Sequence, residues 1–195
     1  MALWGTSDAD ESKPKNLTTA EKKEVFANNS GWVREAGSIW SGNDNTDADP
    51  EVLVAVSGLA DSIGAADVTE VEWITSTADK SAGFTLSVRV RWNEAVTVTG
   101  NPTLAVTNGN QGSGSGRGPH TLVYASGTGT NELVFSLAIA AANAATNAND
   151  VLTVAAQTIA LAGGTIKDTA DGTTVSARAI SGAQGTACGS ITVVA

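Results

Sequence analysis

At 195 residues, with 42% apolar and 16% charged side chains, the chain is long enough for one sizeable core or two small ones. Twenty-one glycines and a charged fraction well below the usual quarter favour short strands and tight turns over long salt-bridged helices. The net charge of −9 argues against a nucleic-acid surface, and one cysteine (Cys188) with one histidine (His120) leaves little for disulfides, zinc or a His-based triad.

The charge is unevenly spread. Residues 1–66 hold 11 acidic and 5 basic side chains, whereas residues 67–195 hold 9 and 6. Three of the five tryptophans, Trp4, Trp32 and Trp40, lie in the acidic first third. Two regions with different jobs are expected, divided at residues 1–66 and 67–195.

The chain opens on Met1-Ala-Leu-Trp-Gly5 and turns polar at once, without a basic stretch, an apolar run or a small-residue cleavage site. No segment approaches the ~18 apolar residues of a membrane span. Synthesis in a cytoplasm without secretory export is therefore expected, with no membrane partner. Residues 1–15 read as an extended arm. A helix is predicted from Thr18 or Thr19 through Ala27, because Glu21 stands three residues after Thr18 and good helix formers follow. Asn28-Asn29-Ser30-Gly31 ends it. Trp32–Arg34, Ser38–Trp40 and Glu51–Val56 read as short strands, and Ser41–Pro50 as an acidic loop. The result is a small α+β region with little core volume, whose stability depends on a neighbour.

From about Ala66 apolar residues alternate with polar ones. Val71 and Trp73 begin the pattern, and Phe84, Leu86, Val88, Val90 and Trp92 share one face. Leu104 with Val106, Leu122 with Tyr124, and Leu133 through Ile139 continue it. Val151–Ala156, Ile159–Ile166, Val175–Ile180 and Ile191–Val194 supply later strands, separated by Gly, Asn and Pro turns. Seven or more half-buried strands predict a mainly β chain: an antiparallel β-sandwich preceded by the small α+β region. Gln111 to Gly118 reads as a Gly/Ser hairpin tip.

Candidate chemistry is sparse. No phosphate-binding glycine motif or Gly-x-Ser-x-Gly elbow occurs, and the carboxylates are not arranged as a glycosidase pair. No enzyme activity and no cofactor are expected. Asn43, Asn45, Asp47, Asp49 and Glu51 alternate as calcium ligands could, but Ala48 stands where the sharp turn needs glycine and Pro50 stiffens the rest, which favours a solvated loop. His120 reads as an ordinary loop or edge residue and Cys188 as a small buried filler. The aromatics are the stronger signal. Phe26, Trp32 and Trp40 must either bury in a local core with Val33, Ile39, Leu53 and Val54 or face a partner. Leu3 and Trp4, ahead of a polar tract, read as part of an arm that orders on another subunit.

Three strings in the second region carry a resemblance. Trp92-Asn-Glu-Ala-Val-Thr-Val-Thr-Gly-Asn-Pro-Thr-Leu104, Tyr124-Ala-Ser-Gly-Thr-Gly-Thr-Asn-Glu-Leu-Val-Phe135 and Leu161-Ala-Gly-Gly-Thr-Ile-Lys-Asp168 together resemble a bacterial immunoglobulin-like repeat. The resemblance runs from about Val68 to Ser181. Ala2-Leu-Trp-Gly5, Asp8-Ala-Asp-Glu-Ser-Lys-Pro-Lys-Asn-Leu17, Gly31-Trp-Val33 and Asp49-Pro-Glu-Val-Leu-Val-Ala55 resemble the first segment of structural proteins from tailed phages, cyanophages especially. These resemblances imply an immunoglobulin-like domain on a virion protein assembled in the host bacterial cytoplasm. The role they imply first is capsid decoration, with the major capsid protein or another virion subunit as partner and a homo-oligomer, such as a trimer, as the assembly. A tail, neck or fibre component is the alternative. So is an adhesin module gripping a host-surface glycan through Gly112–Gly118 and Ser126–Thr130.

Overall fold

In the computed structural model, which describes residues 13–109 and 118–195, Thr18 opens the first element. Its hydroxyl accepts from the Glu21 amide at 3.3 Å, and the Glu21 carboxylate accepts from the Thr18 amide at 2.8 Å. This reciprocal cap starts helix α1 (Thr19–Lys23). The helix stops well short of the predicted Ala27. Val25-Phe26-Ala27 is instead the start of strand β1 (Val25–Asn28), which pairs antiparallel with β2 (Gly31–Arg34). Tertiary pairing overrides the modest helix propensity of that stretch.

Gly31 is what lets the β1–β2 hairpin sit against β3 (Glu51–Ala55). Its φ is +132°, and a Cβ there would come within 2.0 Å of the Val54 carbonyl oxygen. The predicted strand Ser38–Trp40 is not formed. Those residues belong to the β2–β3 connection, which is tied down by Gly37 N–H donating to Asn43 O at 2.6 Å and Arg34 Nη1 donating to Trp40 O at 2.5 Å. Helix α2 (Leu59–Ser62) then brings Leu59 against the hairpin, and Val25, Ala27, Trp32, Leu59 and Ile63 form one small core.

The larger core begins at Ala66. Its elements are β4 (Val68–Trp73), β5 (Ala78–Asp79), β6 (Phe84–Thr99), β7 (Thr103–Gly109), β8 (His120–Ser126), β9 (Thr130–Ile139) and β10 (Val151–Thr153). They continue with β11 (Gln157–Thr158), β12 (Thr165–Asp168), β13 (Ala179–Ile180), helix α3 (Gly182–Cys188) and β14 (Ser190–Val194). Hydrogen bonding joins β4-β6-β9-β8 on one side and β7-β10-β14-β5 on the other, with the β7–β8 pairing linking the two. Inward residues from both sides, including Leu86, Val90, Trp92, Leu104, Phe135, Leu152 and Val193, pack as one core. The fold is mainly β and sandwich-like.

Several local expectations need correction. The sheet is mixed rather than purely antiparallel, because β14 runs parallel to β5 and β1 meets β6 in a parallel bridge at Ala27 and Glu94. Ile159–Ile166 and Val175–Ile180 contribute only the start of β12 and all of β13, because Leu161 to Gly164 is a turn and Asp171 caps another. Helix α3 was unforeseen; Ser181 and Gln184 cap it reciprocally. The Gln111–Gly118 tip falls, apart from Gly118, outside the described residues.

Candidate functional site

The aromatic residues separate into two groups. Phe26 and Trp32 are 3% and 1% exposed, so they are interior residues of this chain and do not face a partner. Register explains it. Phe26 lies opposite Val33 and Trp32 opposite Val54, while Leu59 and Ile63 close over the Trp32 face. Trp40 is different: it stays 48% exposed, beside Ile39 at 87%. Leu3 and Trp4 lie outside the described residues.

Trp40 does not stand alone. Ser41 Oγ donates to Glu51 Oε1 at 2.8 Å, which places Trp40 and Val52 one residue to either side of that bond. Val52 is also exposed. Arg34 holds the Trp40 carbonyl, and Glu24 Oε2 accepts from the Trp40 amide at 3.2 Å, so the loop has a fixed seat on α1 and β2. Strand β3 ends the sheet order, with β2 on one side and no strand on the other among the described residues. Ile39, Trp40 and Val52 are thus exposed apolar side chains in β3 and in the loop tied to it, and β3 is an open sheet edge. Such edges accept another strand, and exposed aromatics suit burial in a partner.

A second arrangement fixes this region to the sandwich. Period-two alternation sends Val71, Val90 and Leu133 inward and leaves Glu70, Glu72, Arg89, Arg91 and Glu132 on the outer face of β4, β6 and β9. Arg91, only 5% exposed, reaches Glu70 and Glu72 through Nη1 at 3.0 and 2.7 Å and Glu132 through Nε at 2.6 Å. Arg89 pairs with the other Glu132 oxygen at 3.2 Å. Lys23, at the end of α1, bridges Glu70 and Glu72. Its bond to Glu70 raises the Lys23 pKa, with burial opposing. Burial also works against the Arg91 charge, but Glu132, Glu72 and Glu70 outweigh it and hold the guanidinium ionised. Glu35, after β2, has its pKa raised by burial first and by Glu132 second. These charges are consumed internally. They read as a clamp between α1 and the sandwich, not as acid–base machinery.

The remaining polar candidates also have structural partners. In the acidic loop, Asn43 Oδ1 accepts from the Asn45 amide and Asn45 Oδ1 from the Asp47 amide, which turns the chain. Among the described residues no three His, Cys, Asp or Glu side chains gather as a metal site. His120 is not a loop residue: it is buried at the start of β8, 3.1 Å from Thr146 Oγ1, and burial lowers its pKa. Cys188 is half-buried against the core rather than fully enclosed, and burial, with Glu72 second, pushes its thiol up to about 11.

Sequence reasoning missed the junction cleft, lined by α1, Trp32, β4 and α3. Its elements are far apart in sequence, and α3 carried no recognised signal beyond Ser181 and Gln184 at capping distance. Compared with known proteins, the chain matches no family model, no curated sequence and no solved structure.

Proposed function

We propose that this chain is a non-enzymatic virion structural protein of a tailed phage, a capsid decoration protein. Residues 1–66 bind the outer shell and residues 67–195 project an immunoglobulin-like domain away from it. The phage assignment rests on the resemblances carried by Ala2–Gly5, Asp8–Leu17, Gly31–Val33 and Asp49–Ala55 and by the sandwich strings. The observation that supports docking through the first region is the exposure of the consecutive residues Ile39 and Trp40 in the loop tied to the open β3 edge. Its partner is the major capsid protein or another virion subunit. Binding by many symmetric copies, as trimers or around threefold positions, would add apolar contact across shell joints and slow dissociation.

The test is titration of the purified chain onto expanded, empty shells. Trp40→Ser should weaken binding by about 2 kcal/mol, roughly 30-fold, if Trp40 is a buried anchor. The free protein should melt as before. Wild-type affinity for Trp40→Ser and Ile39→Asp alike would refute docking through this group.

A further inference from the structure

Strand β3 pairs on one side only. Its register with β2 runs from Gly31 opposite Ala55 to Arg34 opposite Glu51, and it ends the sheet order among the described residues. Val52 is 51% exposed and Ala55 is exposed as well, so the strand is not covered. Lysine and proline, which blunt many natural edges, are absent from Glu51–Ala55. The one blunting device present is the register shift that leaves Leu53 without a partner on β2, with paired residues on both sides of it.

The charged residues that lead into and follow this edge are of one sign. Residues 35–66 hold Glu35, Asp44, Asp47, Asp49, Glu51 and Asp61, and no lysine, arginine or histidine. Asp44, Asp47, Asp49 and Asp61 are exposed. The first three precede β3 directly. Asp61 is held near its far end, because the Asp61 amide donates to Asn29 Oδ1 at 3.4 Å in the hairpin whose Gly31 faces Ala55. Arg34, the cation opposite Glu51, is 6% exposed and gives its Nη1 to the Trp40 carbonyl, so it adds little positive surface. Two copies joined edge to edge would bring two such acidic sets together, which repulsion opposes. A strand with basic ends meets the opposite sign at both ends of β3.

We propose that the β3 edge takes an extended segment of a partner protein as an added strand, one in which basic residues flank an alternating apolar run. This rests on the reading that the first region docks on another subunit, and it states what that subunit presents. Main-chain amides and carbonyls on the outer side of β3 pair with the segment and supply affinity, while side chains supply the choice of partner. Val52 meets its apolar residues, and the acids before and after β3 meet its basic ends. The five residues of β3 span about 17 Å, so a segment of about seven residues reaches both acidic ends. Attraction between exposed charges of this kind weakens with salt.

The probe is the acetylated and amidated peptide Lys-Val-Thr-Val-Thr-Val-Lys, added to the full chain and followed by amide NMR. Saturable shifts are expected in β3, with slowed hydrogen exchange at the β3 amides that face away from β2. The same peptide with glutamate at both ends should bind about tenfold more weakly or worse. That gap should close in about 1 M salt, where the screening length is about 3 Å. Asp47→Asn combined with Asp49→Asn should narrow it too, and both side chains are exposed, so the fold should be kept. Unchanged exchange in β3 at millimolar peptide, or equal binding of the two peptides, would overturn the proposal. So would slow exchange at the outward β3 amides before any peptide is added. If that protection fades on dilution the edge holds a second copy, and if it persists another part of the chain covers it. Shell titration separates the two ideas. Shells bound by a chain whose outward β3 amides stay in fast exchange would refute strand addition and leave docking through Ile39 and Trp40 standing. Peptide binding without shell binding would keep the edge assignment and refute the shell as partner.

Discussion

Replacing Arg91 by alanine tests how much the charge network stabilises the outer face of β4, β6 and β9, on which Lys23 seats α1. The guanidinium is nearly buried and satisfies Glu70, Glu72 and Glu132 at 2.6–3.0 Å. Removing it leaves three carboxylates on one face with Lys23 and Arg89 as the nearby cations. Breaking a buried ion pair by deleting one partner typically costs 3–5 kcal/mol. Here Glu72 and Glu132 are each about one third exposed, so water recovers part of their solvation and the lower figure applies. About 3 kcal/mol in a chain of this length corresponds to a fall in Tm of roughly 6–12 °C. Calorimetry at neutral pH would read it. Combining Arg91→Ala with Glu132→Gln should recover about 1 kcal/mol, since one of the stranded charges is gone. A loss below about 1 kcal/mol for Arg91→Ala alone would refute the view that these charges act as a buried network and not as solvated surface pairs.

Three other outcomes follow from local geometry. Gly31→Ala should destabilise the chain by at least about 2 kcal/mol in chemical denaturation, because positive φ and the Val54 carbonyl both oppose a side chain. The Asp171 carboxyl, held down to about 2 chiefly by the Thr174 hydroxyl, should titrate near that value by NMR. Its lowered folded-state pKa means that the associated stability is present above the ordinary aspartate range and is lost as pH falls through about 2. Thr174→Val should move the midpoint back up towards an ordinary aspartate. Cys188, with its thiol pushed up to about 11, should react with a disulfide reagent at neutral pH far more slowly in the folded chain than in denaturant. Equal rates would show that the thiol is neither shielded nor shifted.

The alternation in Phe84–Trp92 and Leu133–Ile139 was enough to identify β6 and β9, because each strand has one face in the core and one outside. Pairing partners were not readable in the same way. Nothing local to Ala27 says that it bridges Glu94, or to Ala78 that it lies beside Val193. Val25-Phe26-Ala27 misled because its helix propensity is acceptable and its strand partners come from elsewhere. Trp32 looked underburied because the covering element, Leu59–Ser62, is a four-residue helix too short to announce itself. Leu59 and Ile63, four apart after Gly58, were the available hint. The exposed part of the candidate site was no more legible: Ser38–Trp40 read as a strand and Ile39 as a core residue, whereas both Ile39 and Trp40 lie exposed in a loop that side-chain bonds to Arg34 and Glu24 hold in place.

The parallel pairing of β14 with β5 also sets an order of events during synthesis. Strand β5 emerges early, yet its neighbour is not made until residues 190–194 exist, so that side of the sandwich waits with Ala78 and Asp79 unpaired. The small core of Val25, Ala27, Trp32, Leu59 and Ile63 is complete as a sequence long before then, but β1 has no bridge to β6 until Glu94 appears. Folding is therefore governed by late closure of distant contacts, which is slow and leaves strand edges open on the way. Until residues 190–194 are made, that unpaired edge is where one nascent chain can pair with another.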